Sequence, residues 1–408
     1  MDATADARVP ASARATATVA TVAGGVVVGA IAVAVVATHH APGTALSPIT
    51  PRGAWNGVWT GAIVAAFAAY GVGALSARRG QLRMTLAVGL AVAAQTIPLG
   101  APLLLSRDVY HYWAQGRIVA VHRANPYVVT PAAYPHDPAT AHVSEVWRSQ
   151  PAPYGPAWEV AGTVAAPLRS ARAAELVFRI VATLALLGCI GLVAARTRNP
   201  AAVVLLGWNP LLALHFAGGG HSDAVMMLLV LGAIAAGTSA MSGALWPIAS
   251  AIKPFPPVLI PLDLAQRRLR VGRRWWIALA ISTIAVVAVA TLLFGPHWIH
   301  AAATGAHETS PVGGVHWLTR LGLRHRYAVA AGGLVFIAIY AVLLRNAWRT
   351  GRAHFALAAS ALCTTSSLLR PWYAIWAVAL AALEDDAAGA LAAFALSGYL
   401  LFADAVLL

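Results

Sequence analysis

Charge is what this sequence has least of: Asp, Glu, Lys and Arg make up only 10% of its 408 residues. Soluble globular chains carry about 25%, so the deficit excludes a water-solvated surface over most of the chain. Acidic residues number 14, and lysine occurs once, at Lys253, among 28 lysines and arginines. The two cysteines, Cys189 and Cys363, both fall inside apolar runs, which argues against a disulfide framework or a paired-cysteine metal site. No glycine-rich nucleotide loop follows a strand pattern, and no repeat of solenoid period occurs.

What replaces charge is hydrocarbon. Hydrophobic residues make up 59% of the chain, and the mean hydropathy is +0.71. Runs long enough to cross a bilayer, about 20 residues each, predict an all-α, polytopic transmembrane bundle in a single domain spanning 1–408. Spans are expected at 16–38, 55–76, 83–105, 173–195, 200–217, 222–239, 273–294, 328–348, 353–369, 371–384 and 387–407. The first is read as an uncleaved anchor, being long for a signal-peptide core and followed by further spans. The formal net charge of +14 does not indicate nucleic acid, because the arginines sit in short clusters between apolar runs, where they orient membrane helices.

A cytoplasmic N-terminus places Arg78, Arg79 and Arg83 inside and the long stretch Ser106–Arg172 outside. Arg196 and Arg198 then return to the cytoplasm. A full span over 244–264 would put Arg267, Arg268, Arg270, Arg273 and Arg274, the most basic segment, on the outer side. Lys253-Pro254 and Pro256-Pro257 interrupt that segment, and proline breaks the helical ladder. Two half-helices meeting near Lys253 restore the parity, so the expectation is eleven full spans plus two half-helices. Gly295–Arg326 forms a second outer loop. Arg107, Arg117, Arg123, Arg148 and Arg370 remain outside, an excess that suggests an anionic ligand there.

Among the scarce carboxylates, Asp108 directly follows a span and heads DVYHYWAQGRIVAV, a segment expected to form an amphipathic interfacial helix. It is a candidate catalytic base and equally a helix N-cap. Tyr110, Trp147 and Tyr154 add aromatic rings to the loop, and Asn125-Pro126-Tyr127 supplies a turn. Such rings offer a platform for sugar or prenyl recognition, or an interfacial belt. In WNPLLALHFAGGGHSDAV, Gly218–Gly220 permit close backbone approach, beside His221 and Asp223. Asp223 is also a plain candidate cap for the following helix. Lys253, in an apolar break, is a functional candidate whose expected partner is a phosphate, or a side chain snorkelling to the interface. Arg370, ahead of Trp372 and Tyr373, has a similar setting. His297, His307, Glu308 and His316 of the second loop are further candidates to frame the site.

Taken together, Ser106-Arg107-Asp108-Val109-Tyr110, Gly116-Arg117, Asn125-Pro126-Tyr127, Trp147 and PAPYGP resemble the first outer loop of polyprenol-phosphomannose-dependent α-1,6-mannosyltransferases. These are GT-C fold enzymes of actinobacterial lipoglycan synthesis, related to glycosyltransferase family 87. GWNPLLALHFAGGGHSDAVM is similar to their WNP…GHNDAM segment, with Ser222 where asparagine is usual, and AIKP and RPWYAIW are similar to later motifs. The resemblance implies an inverting hexosyl transfer, with mannose the expected sugar. The donor would be a polyprenyl phosphate and the acceptor a lipid-linked glycan, on the outer face of the cell membrane. It makes Asp108 the general base, with 106–172 as the catalytic loop and its interfacial helices. A phosphate leaving group needs cations rather than a general acid, a role for Lys253, Arg370, Arg107 and Arg117. Tyr110, Asn125, Tyr127, Trp147, Tyr154, His221, Asp223, His316, Trp372 and Tyr373 would bind substrate. No cofactor is implied; a divalent metal is left open, and the few carboxylates argue against one. Arabinofuranose or glucose as the transferred sugar, and a lipid or sugar transporter, are the competing readings.

Overall fold

The computed structural model describes residues 11–40, 54–80, 82–299, 309–384 and 386–405. Among them are 18 α-helices and no strand. Helices α1 (Ala11–His40) and α2 (Ala54–Arg79) lie together, followed by α3 (Met84–Thr96), which tightens into a 3-10 turn at Ile97–Gly100. The first polar stretch holds α4 (Asp108–Ala120), α5 (Glu145–Arg148) and α6 (Pro156–Gly162). Then come α7 (Ala171–Thr197), α8 (Pro200–Gly207), α9 (Pro210–Phe216), α10 (Asp223–Ala235), α11 (Ala240–Ser250) and α12 (Ile260–Gln266). The last third consists of α13 (Arg273–Phe294), α14 (Gly314–Arg320), α15 (His325–Thr350), α16 (Phe355–Thr365), α17 (Ala374–Glu384) and α18 (Ala387–Ala405).

Six of these, α1, α2, α7, α13, α15 and α18, are long and apolar enough to cross a membrane. Four of the other expected spans appear as shorter apolar helices at 84–100, 223–235, 355–365 and 371–384. The expected span at 200–217 is instead two helices, α8 and α9, separated at Trp208-Asn209-Pro210. Proline at the first position of α9 removes a donor the ladder would need. The carbonyls freed around the break are taken up locally: Tyr70 Oη donates to Leu205, and Gln95 Nε2 to Gly207 and Asn209. Trp208 itself fills the space left by Gly24 of α1 and Gly73 of α2, where an added Cβ would approach its ring to 2.5 and 2.8 Å. Its indole N–H donates to Ala87 of α3.

The expected interruption near Lys253 is present, with α11 ending at Ser250 and α12 beginning at Ile260. Its exposed carbonyls meet the first polar stretch. Gly155 N–H donates to Ile252 and Ala157 N–H to Ala251, so a break inside an apolar body leaves these two acceptors satisfied. The approach is so close that a Cβ on Gly155 would lie 2.2 Å from the Ala251 oxygen. Helix α4 departs from expectation: Val109 through Ile118 are all buried, leaving no apolar face for the interface. The chain of the loop folds over it, held by Arg117, whose Nε pairs with Asp137 at 2.8 Å.

Arg179, fully buried in α7, ties these parts together. It donates to the carbonyls of Pro98, Ala101 and Ala217 and contacts Glu175 at 3.3 Å. Glu175 also accepts from Arg172 and from the Tyr110 hydroxyl of α4. On the outer flank, α13 and α15 show long apolar faces, among them Ile281, Ile284 and Leu292, and Leu334, Ile337 and Val342. Replacing Arg179 by Met should destabilise the fold by about 3–5 kcal/mol, since three buried carbonyls lose their donor and Glu175 keeps only the half-exposed Arg172 as a cation. Thermal unfolding of the detergent-solubilised protein checks this, with a conserved midpoint as the contrary result.

Candidate active site

Four separate segments supply most of the lining of one cavity of about 1040 Å³. They are the start of α4, the loop at 144–154, the break between α11 and α12, and residues 365–376 leading into α17. Asp108 occupies the first position of α4, its backbone N–H bonded to Ser106 Oγ. Its carboxylate does not cap that helix. Oδ2 accepts from the Tyr154 hydroxyl at 3.2 Å and lies 3.6 Å from His221 Nδ1. Oδ1 receives no hydrogen bond from the described residues, and Asp108 lines the cavity.

The turn carrying His221 depends on glycine. Gly220 has φ +75°, and a Cβ there would lie 2.6 Å from Val109, so only glycine permits this approach of the 218–222 turn to α4. His221 is fully buried and stacks on Trp372, with ring centroids 3.7 Å apart. Burial alone would raise the Asp108 carboxyl; His221, Arg370 and His111 outweigh it and hold the carboxyl well below the usual range. Burial pushes His111 down to about 4 and also lowers His221. That leaves Arg370 as the permanent cation of the three.

Asp223 and Lys253 form the other polar centre. The Lys253 ammonium sits 2.8 and 3.0 Å from the two Asp223 oxygens, and Trp376 Nε1 donates to Oδ1 at 2.8 Å. The lysine also lies 4.6 Å from the Tyr373 ring centroid, which adds a cation–π attraction. Two expectations change here. Asp223 does not cap α10, and the partner of Lys253 is a carboxylate rather than a phosphate alone.

Of the candidate residues, Asp108, Arg107, Trp147, Tyr154, Lys253, Arg370, Trp372 and Tyr373 line the cavity. His221 and Asp223 stand directly behind them. Arg117 does not reach it, being committed to Asp137 and to the carbonyls of Ala166 and Leu168. Nor do Tyr110, bonded to Glu175, and Asn125, whose side chain spans from Phe294 O to Tyr127 N. Tyr127 acts from outside, its hydroxyl bonded to the Tyr154 carbonyl. His297 and His316 lie away from the lining, although Val315 is part of it. His307 and Glu308 lie outside the described residues.

Sequence reasoning passed over Glu145 and Asp404, both on the cavity wall. Glu145 carries no motif around it. Asp404 had a signal, as a carboxylate within a long apolar run. It also passed over an apolar half of the wall, built from Val315, Val329, Gly333, Phe336, Leu362 and Leu368. Among the described residues, no three His, Cys, Asp or Glu side chains converge as a metal site.

A family model described as alpha-(1->6)-mannopyranosyltransferase, N-terminal domain, matches residues 13–293. Alpha-(1->6)-mannopyranosyltransferase A of Mycobacterium tuberculosis is 28% identical over 389 residues, covering 83% of this chain and 72% of that protein. A probable alpha-(1->6)-mannopyranosyltransferase of Mycolicibacterium smegmatis is 34% identical over 252 residues, covering 57% of this chain and 41% of that protein. No solved structure matches.

Two expected outcomes follow from the geometry. Lys253→Met alone should lower stability, because Asp223 is then a buried charge without its cation. Adding Asp223→Leu should recover most of that loss, measured by thermal unfolding in detergent, while activity stays low in both. The second concerns pH. His111 ionises near 6.5 when unfolded and near 4 when folded, so the unfolded state binds more protons between those values. Stability should therefore fall on acidification from pH 6.5 to 4, and His111→Gln should flatten that slope in unfolding scans across the range.

Proposed function

Because the chain belongs to the alpha-(1->6)-mannopyranosyltransferase family, we propose that the cavity at Asp108 transfers a mannosyl unit from a polyprenyl-phosphate donor to a lipid-linked glycan. The observation that carries this reading is the mixed lining of the cavity. That lining combines Asp108, Arg107 and Arg370 with apolar residues of α14, α15 and α16. A prenyl phosphate has the matching combination, an anionic head on a hydrocarbon chain. The apolar wall belongs partly to α15, whose outer face is free to meet lipid, so the chain can enter sideways from the bilayer.

The chemistry follows from this placement. The acceptor hydroxyl hydrogen-bonds to Asp108 Oδ1 and loses its proton there as its oxygen attacks the anomeric carbon from the face opposite the phosphate. The configuration inverts. Phosphate departs as an anion, so it requires charge stabilisation rather than a proton donor. Arg107 and Arg370 supply that charge; Lys253, already shared with Asp223, contributes less than an unpaired ammonium would. Tyr154 and His221 hold the base, and Trp147 offers a face for a sugar ring. In this reading the protein is a single GT-C-type membrane unit with two half-helices meeting near Lys253. Its N-terminus is cytoplasmic, and the stretch 106–172 is the extracytoplasmic catalytic loop.

Transfer from radiolabelled polyprenyl-phosphate-mannose to lipid acceptors in membranes tests the proposal, run beside the arabinose and glucose donors. Asp108→Asn should lower the rate by about 10²–10⁴-fold at unchanged membrane insertion. A loss below tenfold would remove Asp108 from the role of base. Transfer from none of the three donors would reject the reading.

A further inference from the structure

Behind Asp108 runs a row of buried ionisable groups that the transfer step does not use. His221 lies 3.6 Å from Asp108, and its ring centroid is 5.6 Å from that of His215. His215 Nε2 is in turn 3.2 Å from Asp404 Oδ2. Both imidazoles are completely buried, and all four of their nitrogens, together with Asp404 Oδ2, lack a hydrogen-bond partner among the described residues. Leaving such groups unsatisfied costs about 1–3 kcal/mol each, and leucine or phenylalanine would avoid that cost. Neither histidine lines the cavity, whereas the residues at both ends of the row, Asp108 and Asp404, do.

We propose that His221 and His215 form a buried relay that carries the proton taken by Asp108 to Asp404 on another part of the cavity wall. The proposal rests on the transferase reading above. The acceptor O–H bond breaks as its oxygen bonds to the anomeric carbon, and the proton goes to Asp108. The bond from that carbon to the phosphate oxygen breaks, and its electron pair leaves with the phosphate. The protonated carboxyl turns to His221 Nδ1 and donates; His221 releases a proton from its other nitrogen to His215; His215 passes one to Asp404. Asp404 returns it to the departed prenyl phosphate, whose second ionisation near pH 6 makes it an adequate final base. The overall reaction neither gains nor loses a proton.

Three features suit the row to this task. Asp108 is held below the usual carboxylate range and would keep an alcohol's proton poorly, so a more basic neighbour is needed. The Trp372 ring covers His221 and lies 5.7 Å from His215, shielding both from the cavity. Gly219 lies against the edge of His221, where a Cβ would sit 3.1 Å from Nε2, so a larger residue at 219 would crowd the ring. The charged groups bearing on the row are Asp108 from α4, Arg179 beside the Gly220 turn, Asp223 and Lys253 from α10 and the break, Arg370 from the segment before α17, and Asp404 from α18. Within the row, carboxylates stand at both ends and only imidazoles between.

His215→Gln is the discriminating variant, since this residue touches no substrate. In membranes that transfer with the wild type, it should lower kcat by tenfold or more, with donor and acceptor KM within twofold. It should also shift the acidic limb of the pH–rate profile and raise the solvent isotope effect. An unchanged kcat and pH profile, or a change confined to KM, overturns the relay. A second readout needs no activity: ¹⁵N-histidine NMR of the purified protein. His215 and His221 should titrate as a coupled pair and both shift in Asp404→Asn. Independent titration of the two overturns the relay even if His215→Gln fails to fold. If the wild type transfers from no prenyl-phosphate sugar, the transferase reading fails, and the NMR result still decides whether the row is coupled.

Discussion

A single guanidinium inside the helical body, that of Arg179, fixes where the site can form. In hydrocarbon an unpaired backbone carbonyl has no water to turn to, and this chain leaves several near Pro98, Ala101 and Ala217, where helices end early. Arg179 gathers those three acceptors around one planar fork, which suits a guanidinium and not an ammonium. Its charge is balanced by Glu175, and Glu175 reaches the Tyr110 hydroxyl on α4. The end of α3, the turn after α9 and the start of the buried loop helix are thus set relative to one another by one residue of α7. Asp108 and His221 lie on two of those three pieces.

The cavity is built from charges treated in two different ways. Lys253 and Asp223 neutralise one another at 2.8 Å, with Trp376 and Tyr373 closing the pair. That arrangement fixes the break between α11 and α12 at little net charge. Asp108 is the opposite case: one oxygen is held by Tyr154 and faces His221, and the other is kept open. The wall thus pins one carboxylate with a cation and holds the other by a hydroxyl alone. The apolar half, from Val315 to Leu368, then sets the kind of molecule that can lie there.

Composition and apolar run length were enough to read the membrane class and the six long helices. The interruption at Lys253-Pro254 was legible because prolines in an apolar run and misplaced arginines made the same demand. The interruption at Trp208-Asn209-Pro210 was not, since one proline inside a run also suits a simple kink. What stabilises that break is distant: Tyr70 and Gln95 are separated from it by more than a hundred residues. Helix α4 looked amphipathic because its tyrosines and tryptophan suit an interface equally well as they suit burial. Aromatic rings carry no label distinguishing the two. Asp108, Tyr154, Arg370 and Trp372 could be gathered as candidates, but Arg117 could not be told from them. Its partner Asp137 lies twenty residues away in a stretch with no regular pattern.

The docking of Gly155 onto the carbonyls of residues 251 and 252 has a consequence for how the protein is made. The stretch around Gly155 leaves the ribosome long before the segment it rests on, and Asp404 of the cavity lining comes about 250 residues after Gly155. At roughly 5–20 residues per second of synthesis, the loop waits on the order of 5–20 s for its seat and on the order of 10–50 s for Asp404. Asp108 waits longer still for Arg370, which follows that seat in the chain. Nascent chains are therefore inserted without a formed cavity, whose lining is complete only once Asp404 is in place.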